Sequence, residues 1–291
     1  MVQAPQSPRS GADRKICWLV SFPKSGNTWT RILLSNLIGE EGLAEEEDVK
    51  INLAGSISSN RVQFDNLTGL ASSDLTDDEI DLLRPDGYRA IAAEAQDRIY
   101  TKVHDAYHDN GHGEPIFPAE CSYGAIYLVR HPFDIAISYA YHQGHLDFAK
   151  IVDQMVSDDH VMAGGAKTQL RQKTLGWGGH YHSWHRQSAI PLLTIRYEDM
   201  IADTAACVRS MVDFLKLDQI SAQQIEDAVS ESRFDKLQEK EAKAGFRERP
   251  EKAARFFRSG KTGEGAERLS PELQQRLRDA NASLMEELGY D

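Results

Sequence analysis

In this chain of 291 residues, the most informative stretch for the fold is Ser21-Phe22-Pro23-Lys24-Ser25-Gly26-Asn27-Thr28-Trp29. The apolar run over residues 16–22 has the length and β-propensity of a buried strand, and the segment after it is typical of a turn. Beyond the turn, apolar residues recur at helical spacing: Trp29, Ile32, Leu33 and Leu37. A strand, a glycine turn and a helix in this order predict a βαβ unit of a parallel sheet.

Further strands and helices alternate along the chain. The predicted strands are residues 99–104, 124–130 and 192–196. Helical patterns begin at Pro132, near Trp177, after Asp203 or Thr204, and at Ser270-Pro271. This alternation predicts a single α/β domain with a central parallel sheet and helices on both faces. Residues 39–87 are acidic and rich in Ser, Asn and Gly, and we expect loops and short helices there.

Two segments are expected to lie outside the packed core. Residues 1–14 are polar and contain proline, which predicts a disordered tail before a domain that spans residues 15–291. Residues 235–268 are densely charged and punctuated by glycine. We interpret them as a mobile, lid-like segment of that domain.

The composition excludes several classes of partner. The net charge of −12 disfavours nonspecific binding to nucleic acid or to an anionic membrane, so an anionic ligand has to be captured locally. No apolar run approaches the length of a transmembrane helix, and we expect no membrane insertion. Cys17, Cys121 and Cys207 lie far apart and form no CxxC pair, which indicates neither disulfides nor zinc. We therefore expect a cytoplasmic protein.

The glycine turn has the chemistry of an anion site. Backbone N–H groups at a helix N-terminus favour anions, Lys24 adds a positive charge, and Ser25, Asn27 and Thr28 add polar side chains. A tight turn with an exposed lysine is the simpler alternative. The P-loop of ATPases and GTPases places its lysine after the second glycine, whereas Lys24 precedes the only glycine here. This order disfavours ATP or GTP as the ligand.

The turn resembles the first signature of the cytosolic-type sulfotransferases, which use 3′-phosphoadenosine 5′-phosphosulfate (PAPS). Their pattern [YF]PKSG[TN]TW matches residues 22–29 without a gap. The resemblance implies a fold with a phosphate-binding turn like that of nucleotide kinases. It also implies that the 5′-phosphosulfate is held by Lys24, Ser25, Gly26, Asn27, Thr28 and Trp29.

Two further segments are similar to family signatures. Arg130 ends a strand and Ser138 follows in a helix, which in the family grips the 3′-phosphate of the donor. The alternative for Arg130 is a salt bridge at a strand end. Tyr197 lies in the segment 196–200, and the resemblance implies that it approaches adenine. A strand end followed by a helix-capping carboxylate explains that segment nearly as well.

The fourth similar segment, residues 257–263, resembles the R[KS]GxxG loop that closes over the 3′-phosphate. Arg258, Ser259 and Gly260 are its implied contacts. The family often continues with Asp-Trp, whereas this chain has Glu264-Gly265. This departure leaves the adenine or lid contact of that tryptophan in question.

The resemblance implies transfer of a sulfuryl group from PAPS to a hydroxyl group of a small-molecule acceptor, with adenosine 3′,5′-bisphosphate (PAP) as product. Lys24 is expected to stabilise the leaving phosphate. Lys102-Val103-His104 matches the family's Lys-x-His string, with His104 as general base and Lys102 on the same strand face. A core histidine is the alternative. Glycines break any helix that would align His104, His108 and His112 on a metal, so no metal is expected.

Other features stay open at the level of sequence. A phenol, an alcohol, a carbohydrate or an amine all remain candidates for the acceptor. A small-molecule kinase and a nucleotide-binding regulatory module are the alternative functions. Many relatives dimerise through a KxxxTVxxxE segment that residues 264–273 lack, so we expect a monomer or a dimer through another surface.

Overall fold

The computed structural model describes residues 14–39, 49, 51, 53–163, 169–250 and 253–290, so the predicted tail lies outside it except for Arg14. The strands are β1 (Ile16–Ser21), β2 (Ile99–Val103), β3 (Ser122–Val129), β4 (Val161–Met162), β5 (Gln172–Lys173) and β6 (Leu192–Arg196). The helices are α1 (Asn27–Ile38), α2 (Arg61–Thr68), α3 (Asp77–Glu94), α4 (Pro132–Gln143), α5 (Phe148–Val156), α6 (Trp177–Arg186), α7 (Tyr197–Ala202), α8 (Thr204–Leu215), α9 (Ala222–Glu231), α10 (Phe234–Ala244), α11 (Glu264–Arg268) and α12 (Pro271–Leu288).

The central sheet has four parallel strands in the order β2-β1-β3-β6. Side chains of β1 alternate between two cores: Trp18 and Val20 face one, and Cys17 and Leu19 face the other. Helices α4, α6 and α12 cover the first face, and α1, α8 and α9 cover the second. The predicted α/β fold, with a parallel sheet and helices on both faces, is confirmed.

The carboxyl ends of the strands meet at one edge of the sheet. Ser21 of β1 pairs with Leu128 of β3, and Val129 pairs with Arg196 at the end of β6. Ligands of parallel α/β sheets bind at this edge, outside the carboxyl ends of the strands. The glycine turn and the residues after β2, β3 and β6 therefore emerge side by side.

The expectation of only loops and short helices over residues 39–87 is wrong for α3, which has 18 residues. A capping box starts this helix, because Thr76 accepts from the Glu79 N–H and the Glu79 carboxylate accepts from the Thr76 N–H. Arg84 is buried in the middle of α3 and forms two hydrogen bonds with Asp105, at 2.9 and 3.0 Å. The apolar pattern did not reveal this helix, because part of its buried face is a charged pair and not a row of apolar residues.

The predicted lid-like segment begins as helix α10. Leu237, Phe246 and Phe257 are buried together against Ile32 of α1, so the segment is anchored beside the glycine turn. The buried Glu241 carboxylate accepts backbone N–H groups of Phe256 and Phe257. Mobility of this segment stays a prediction.

Candidate active site

The glycine turn is held in shape by left-handed backbone conformations and by one amide. Lys24 has φ 70° and Gly26 has φ 104°, which sends the chain sharply from β1 into α1. The Asn27 Nδ2 donates to the Leu19 carbonyl at 2.7 Å and to the Ser21 hydroxyl at 3.3 Å. The amide nitrogen of Asn27 therefore ties the turn to the strand.

Two buried side-chain atoms of the turn, Ser25 Oγ and Asn27 Oδ1, have no hydrogen-bond partner within the described residues. A buried hydroxyl at a helix N-terminus fits an anionic ligand, because an unsatisfied polar group is otherwise costly. The structure thus supports the turn as the place where a phosphate group binds.

Tyr197 and Arg130 pack onto the turn from the next two strands. A methyl group on Gly26 would lie 2.8 Å from Tyr197 Cδ2, so only glycine allows this approach. The Arg130 guanidinium lies 4.2 Å from the Tyr197 ring centroid and donates to the Lys24 carbonyl at 3.3 Å. The Trp29 ring contacts Tyr197 edge-on, and its Nε1 donates to the Ser232 carbonyl. Arg130 Nε has no partner among the described residues, as expected for a ligand-binding guanidinium.

The loop that carries the R[KS]GxxG-like segment, residues 257–263, packs on the first turn of α4. Arg130 Nη2 donates to the Lys261 carbonyl at 3.1 Å, and Asp134 accepts the N–H groups of Gly263 and Gly265. A Cβ at Gly265 would lie 2.2 Å from the Phe133 carbonyl carbon. This backbone contact explains why glycine stands where the family often has tryptophan.

Arg258 is close to the loop's own carboxylate. Its Nη1 donates to Glu264 Oε1 at 2.8 Å, Nη2 contacts Glu264 Oε2, and the guanidinium lies 4.3 Å from the Tyr141 ring centroid. Ser259 and Gly260 follow it, partly exposed, and Gly260 lies against the Phe234 ring. Glu264 therefore pairs with the guanidinium that the family resemblance assigns to the 3′-phosphate.

His104 lies at the end of β2 with one ring nitrogen fixed. Its Nδ1 is 2.8 Å from the Ser21 carbonyl, which only accepts, so Nδ1 carries the proton and Nε2 keeps its lone pair. Burial, Lys102 and Lys24 together hold the pKa of His104 well below its ordinary value. These surroundings favour the neutral form of the imidazole.

Lys24 projects between an imidazole and an aromatic ring. Its Nζ lies 3.4 Å from His142 Nδ1 and 4.8 Å from the Phe256 ring centroid. Burial, followed by the charges of Lys102 and Arg130, lowers the pKa of Lys24 to about 7. The ammonium is thus held at high electrostatic cost, which a bound anion would relieve.

The carboxylate of Glu248, in the lid-like segment, contacts cationic side chains beside the glycine turn. Glu248 accepts from Thr28 Oγ1 at 3.1 Å and from Arg31 Nη1 at 2.6 Å, and it lies 3.8 Å from Lys102 Nζ. Burial raises the pKa of Glu248, but Lys102 and Arg31 lower it below its ordinary value overall. Sequence reasoning missed Glu248, Arg31 and Phe256, for which no local motif exists. It also missed His142, although its position one helical turn after Ser138 on α4 was a usable signal.

Among the predicted site residues, the structure brings together the turn, Arg130, Tyr197, Lys102 and His104. Ser138 lies half-buried on the second turn of α4. In the described ranges, no group of three or more His, Cys, Asp or Glu side chains is arranged to hold a metal ion. Over the same ranges, every helix is too short or too polar to cross a membrane.

A glycine turn, converging cations and an imidazole at one sheet edge define a group-transfer site for an anionic donor. The sulfotransferase domain family matches residues 14–289. The chain belongs to the sulfotransferase family and is a PAPS-dependent sulfotransferase, as its motifs predicted.

Known relatives agree with this assignment. Flavonol 3-sulfotransferase of Flaveria bidentis is 24% identical over 275 residues, covering 89% of this chain and 78% of the relative. The fold is similar to mouse sulfotransferase SULT7A1 complexed with PAP (16% identity, TM-score 0.58, 94% and 85% of the two chains). It is also similar to retinol dehydratase in complex with androsterone and PAP (16% identity, TM-score 0.61, 95% and 82%).

Proposed function

We propose that this sulfotransferase moves the sulfuryl group of PAPS onto a hydroxyl group of a small-molecule acceptor, with His104 as general base. The observation that carries the proposal is the hydrogen bond from His104 Nδ1 to the Ser21 carbonyl. It leaves Nε2 unprotonated at the edge of the sheet where the glycine turn begins. A satisfied core histidine would have both ring nitrogens engaged by protein groups.

The assignment of the donor rests on the family resemblance and on unmatched polar atoms of Ser25 and Arg130. Ser25 and the N–H groups at the start of α1 suit the 5′-phosphosulfate, and Arg130 with Ser138 suits the 3′-phosphate. Tyr197, packed on the turn, offers its ring edge to adenine. Mouse sulfotransferase SULT7A1 and retinol dehydratase, whose folds are similar, are both complexed with PAP.

Sulfuryl transfer requires that the acceptor and donor be aligned and that the leaving group's charge be stabilised, with little covalent catalysis by the protein. Transfer of a sulfuryl group has the demands of phosphoryl transfer, with negative charge growing on the leaving phosphate. The Lys24 ammonium is placed at the turn to stabilise that charge, and His104 accepts the proton of the attacking hydroxyl. Burial, followed by the charge of Lys102, lowers the pKa of His104, which favours the unprotonated base before the reaction.

Small organic alcohols and phenols are the acceptor class to test first. Retinol dehydratase is described in complexes with androsterone and with retinol, and the relative from Flaveria is a flavonol sulfotransferase. A protein of net charge −12 repels polyanionic acceptors such as acidic polysaccharides.

The test is an acceptor screen with isotopically labelled PAPS and mass-spectrometric detection of sulfated products. With the best acceptor, we expect His104→Ala to lower turnover by about 10²-fold or more, the usual scale for a general base. Affinity for PAP should stay close to that of the wild type. The exposed His112 provides the control, because His112→Ala should keep full turnover. Equal turnover of His104→Ala and wild type would eliminate His104 as the base.

A further inference from the structure

His142 is a second imidazole at the site, and neither the motifs nor the proposed reaction assigns it a role. It lies on α4, one helical turn beyond Ser138, and it is half-buried. Its Nδ1 is 3.4 Å from Lys24 Nζ, although the two residues are 118 positions apart in the chain. A contact between these two side chains therefore depends on the docking of α4 against the glycine turn.

The direction of this hydrogen bond follows from the two groups. An ammonium has three donors and no acceptor, so His142 Nδ1 has to accept and the ring proton has to lie on Nε2. Burial, then Lys24 and Lys102, lower the pKa of His142 to about 3. The imidazole is accordingly neutral over the whole range in which Lys24 titrates.

The groups that face Lys24 are otherwise mostly repulsive. Within the described part of the chain, Lys102, Arg130 and Arg258 oppose its positive charge, and Glu248 favours it. The Phe256 ring gives a weaker cation–π contact from the lid-like segment. His142 is thus the neutral hydrogen-bond acceptor that the packed core offers to Nζ.

We propose that His142 is a positioning residue for Lys24, whose ammonium it holds at the phosphate-binding turn through Nδ1. A lysine side chain has four rotatable bonds, and the left-handed backbone of Lys24 directs it away from a regular strand or helix. Fixing Nζ before the donor arrives removes part of the ordering cost from the reaction. The significance for catalysis rests on the proposed function, whereas the hydrogen bond itself does not.

Two variants separate the hydrogen bond from packing. His142→Asn keeps an acceptor oxygen near the position of Nδ1, while His142→Leu keeps apolar bulk and removes the acceptor. His142→Gln moves its polar group toward the position of Nε2 and serves as a third comparison. The thermal midpoint of each variant establishes that it is folded.

The first measurement is the pKa of Lys24, obtained by competitive acetylation across a pH series and mass spectrometry of the Lys24 peptide. Loss of an acceptor destabilises the ammonium, so we expect the midpoint in His142→Leu to fall by about one pH unit. His142→Asn should restore most of the shift, and His142→Gln should not. An unchanged midpoint in a folded His142→Leu protein, or equal midpoints for Leu and Asn, would overturn the proposal.

The second measurement is PAP affinity by titration calorimetry at about pH 6, where Lys24 is protonated in the wild type by the pKa argument above. We expect His142→Leu to bind PAP about 10-fold more weakly, and His142→Asn to recover most of the affinity. Wild-type protein without PAP affinity would defeat the proposed function, while the labelling result would still stand. Wild-type affinity in His142→Leu would show that the contact positions nothing for the donor.

Discussion

At the scale of single residues, the proposed reaction assigns its chemistry to two groups, Lys24 Nζ and His104 Nε2. Both groups are held in electrically unfavourable surroundings, since burial and neighbouring cations lower the pKa of each. Shifts of this kind occur where a site awaits a charge of opposite sign. An anionic donor would favour the protonated form of Lys24 and would also draw a proton toward His104 as the acceptor loses it.

We expect PAP binding to take up a proton at about pH 8, because Lys24 with its pKa of about 7 is then largely neutral in the free protein. The phosphate groups raise that pKa on binding, so affinity should fall as the pH rises through the value of the free protein. Calorimetry in two buffers of different ionisation enthalpy measures the uptake. Lys24→Ala should lose it, and Lys150→Ala, at an exposed site on α5, should keep it. Undiminished uptake by Lys24→Ala would place the titrating group elsewhere.

At the scale of elements, the site combines segments next to the central sheet with one connection that lies outside it. The glycine turn, α4 and the start of α7 are fixed by the sheet, whereas residues 245–263 connect α10 to α11 without a strand in their described part. This connection brings Phe256 to Lys24 and Glu248 to Thr28, Arg31 and Lys102. Glu248 consequently satisfies cations that an anionic donor also needs.

We expect Glu248→Gln to bind PAP more tightly, by up to about 5-fold, the range of a partly exposed ion pair. The reason is that PAP then meets the charges of Arg31 and Lys102 without an internal competitor. Calorimetry measures the gain, which should shrink as salt is added.

The matched control for this prediction is Glu239→Gln, which removes the same charge at an exposed position of α10. Its affinity for PAP should equal that of the wild type. Weaker binding by Glu248→Gln would contradict the prediction and would mean that Glu248 orients the cations for the donor.

At the scale of the whole molecule, a net charge of −12 has to be overcome by local convergence. Arg130 comes from the end of β3, Tyr197 from the end of β6, and the carbonyl groups of Lys24 and Lys261 from two separate loops. Only the folded chain unites them. In the proposed site, the 3′-phosphate is the donor group that Arg130, Ser138 and Arg258 would bind together.

We therefore expect adenosine 5′-phosphosulfate, which lacks the 3′-phosphate, to be a far poorer donor than PAPS. Charge-assisted hydrogen bonds contribute about 1.5–3 kcal/mol each, so the loss of two or more should cost orders of magnitude. Arg130→Ala should narrow the ratio of kcat/KM values for the two donors.

Arg258→Ala should narrow this ratio less, because Glu264 already competes for that guanidinium. Arg209→Ala, at an exposed position of α8, should leave it unchanged. Equal use of both donors by the wild type would contradict the assignment of the 3′-phosphate site.

The features that depend on a few neighbouring residues could be predicted from the sequence. The apolar run before Phe22, the glycine at position 26 and the helical spacing after Thr28 specify β1, the turn and α1, because backbone geometry and burial act over a few residues. Strands β2 and β3 were predictable in the same way, whereas the roles of His104 and Arg130 at their ends came from the family resemblance and stay predictions.

The side chains that surround the glycine turn depend on the tertiary structure. His142 lies 118 positions from Lys24, and Glu248 lies 220 positions from Thr28, so no local pattern links either pair. Helix α3 was missed because its middle buries Arg84 against Asp105, and an ion pair leaves no apolar period. The need for glycine at position 265 becomes visible only in the fold, where the α4 backbone leaves no room for a Cβ atom. Hydrogen bonds and charges between distant segments depend on how whole elements pack, and that packing is a property of the complete fold.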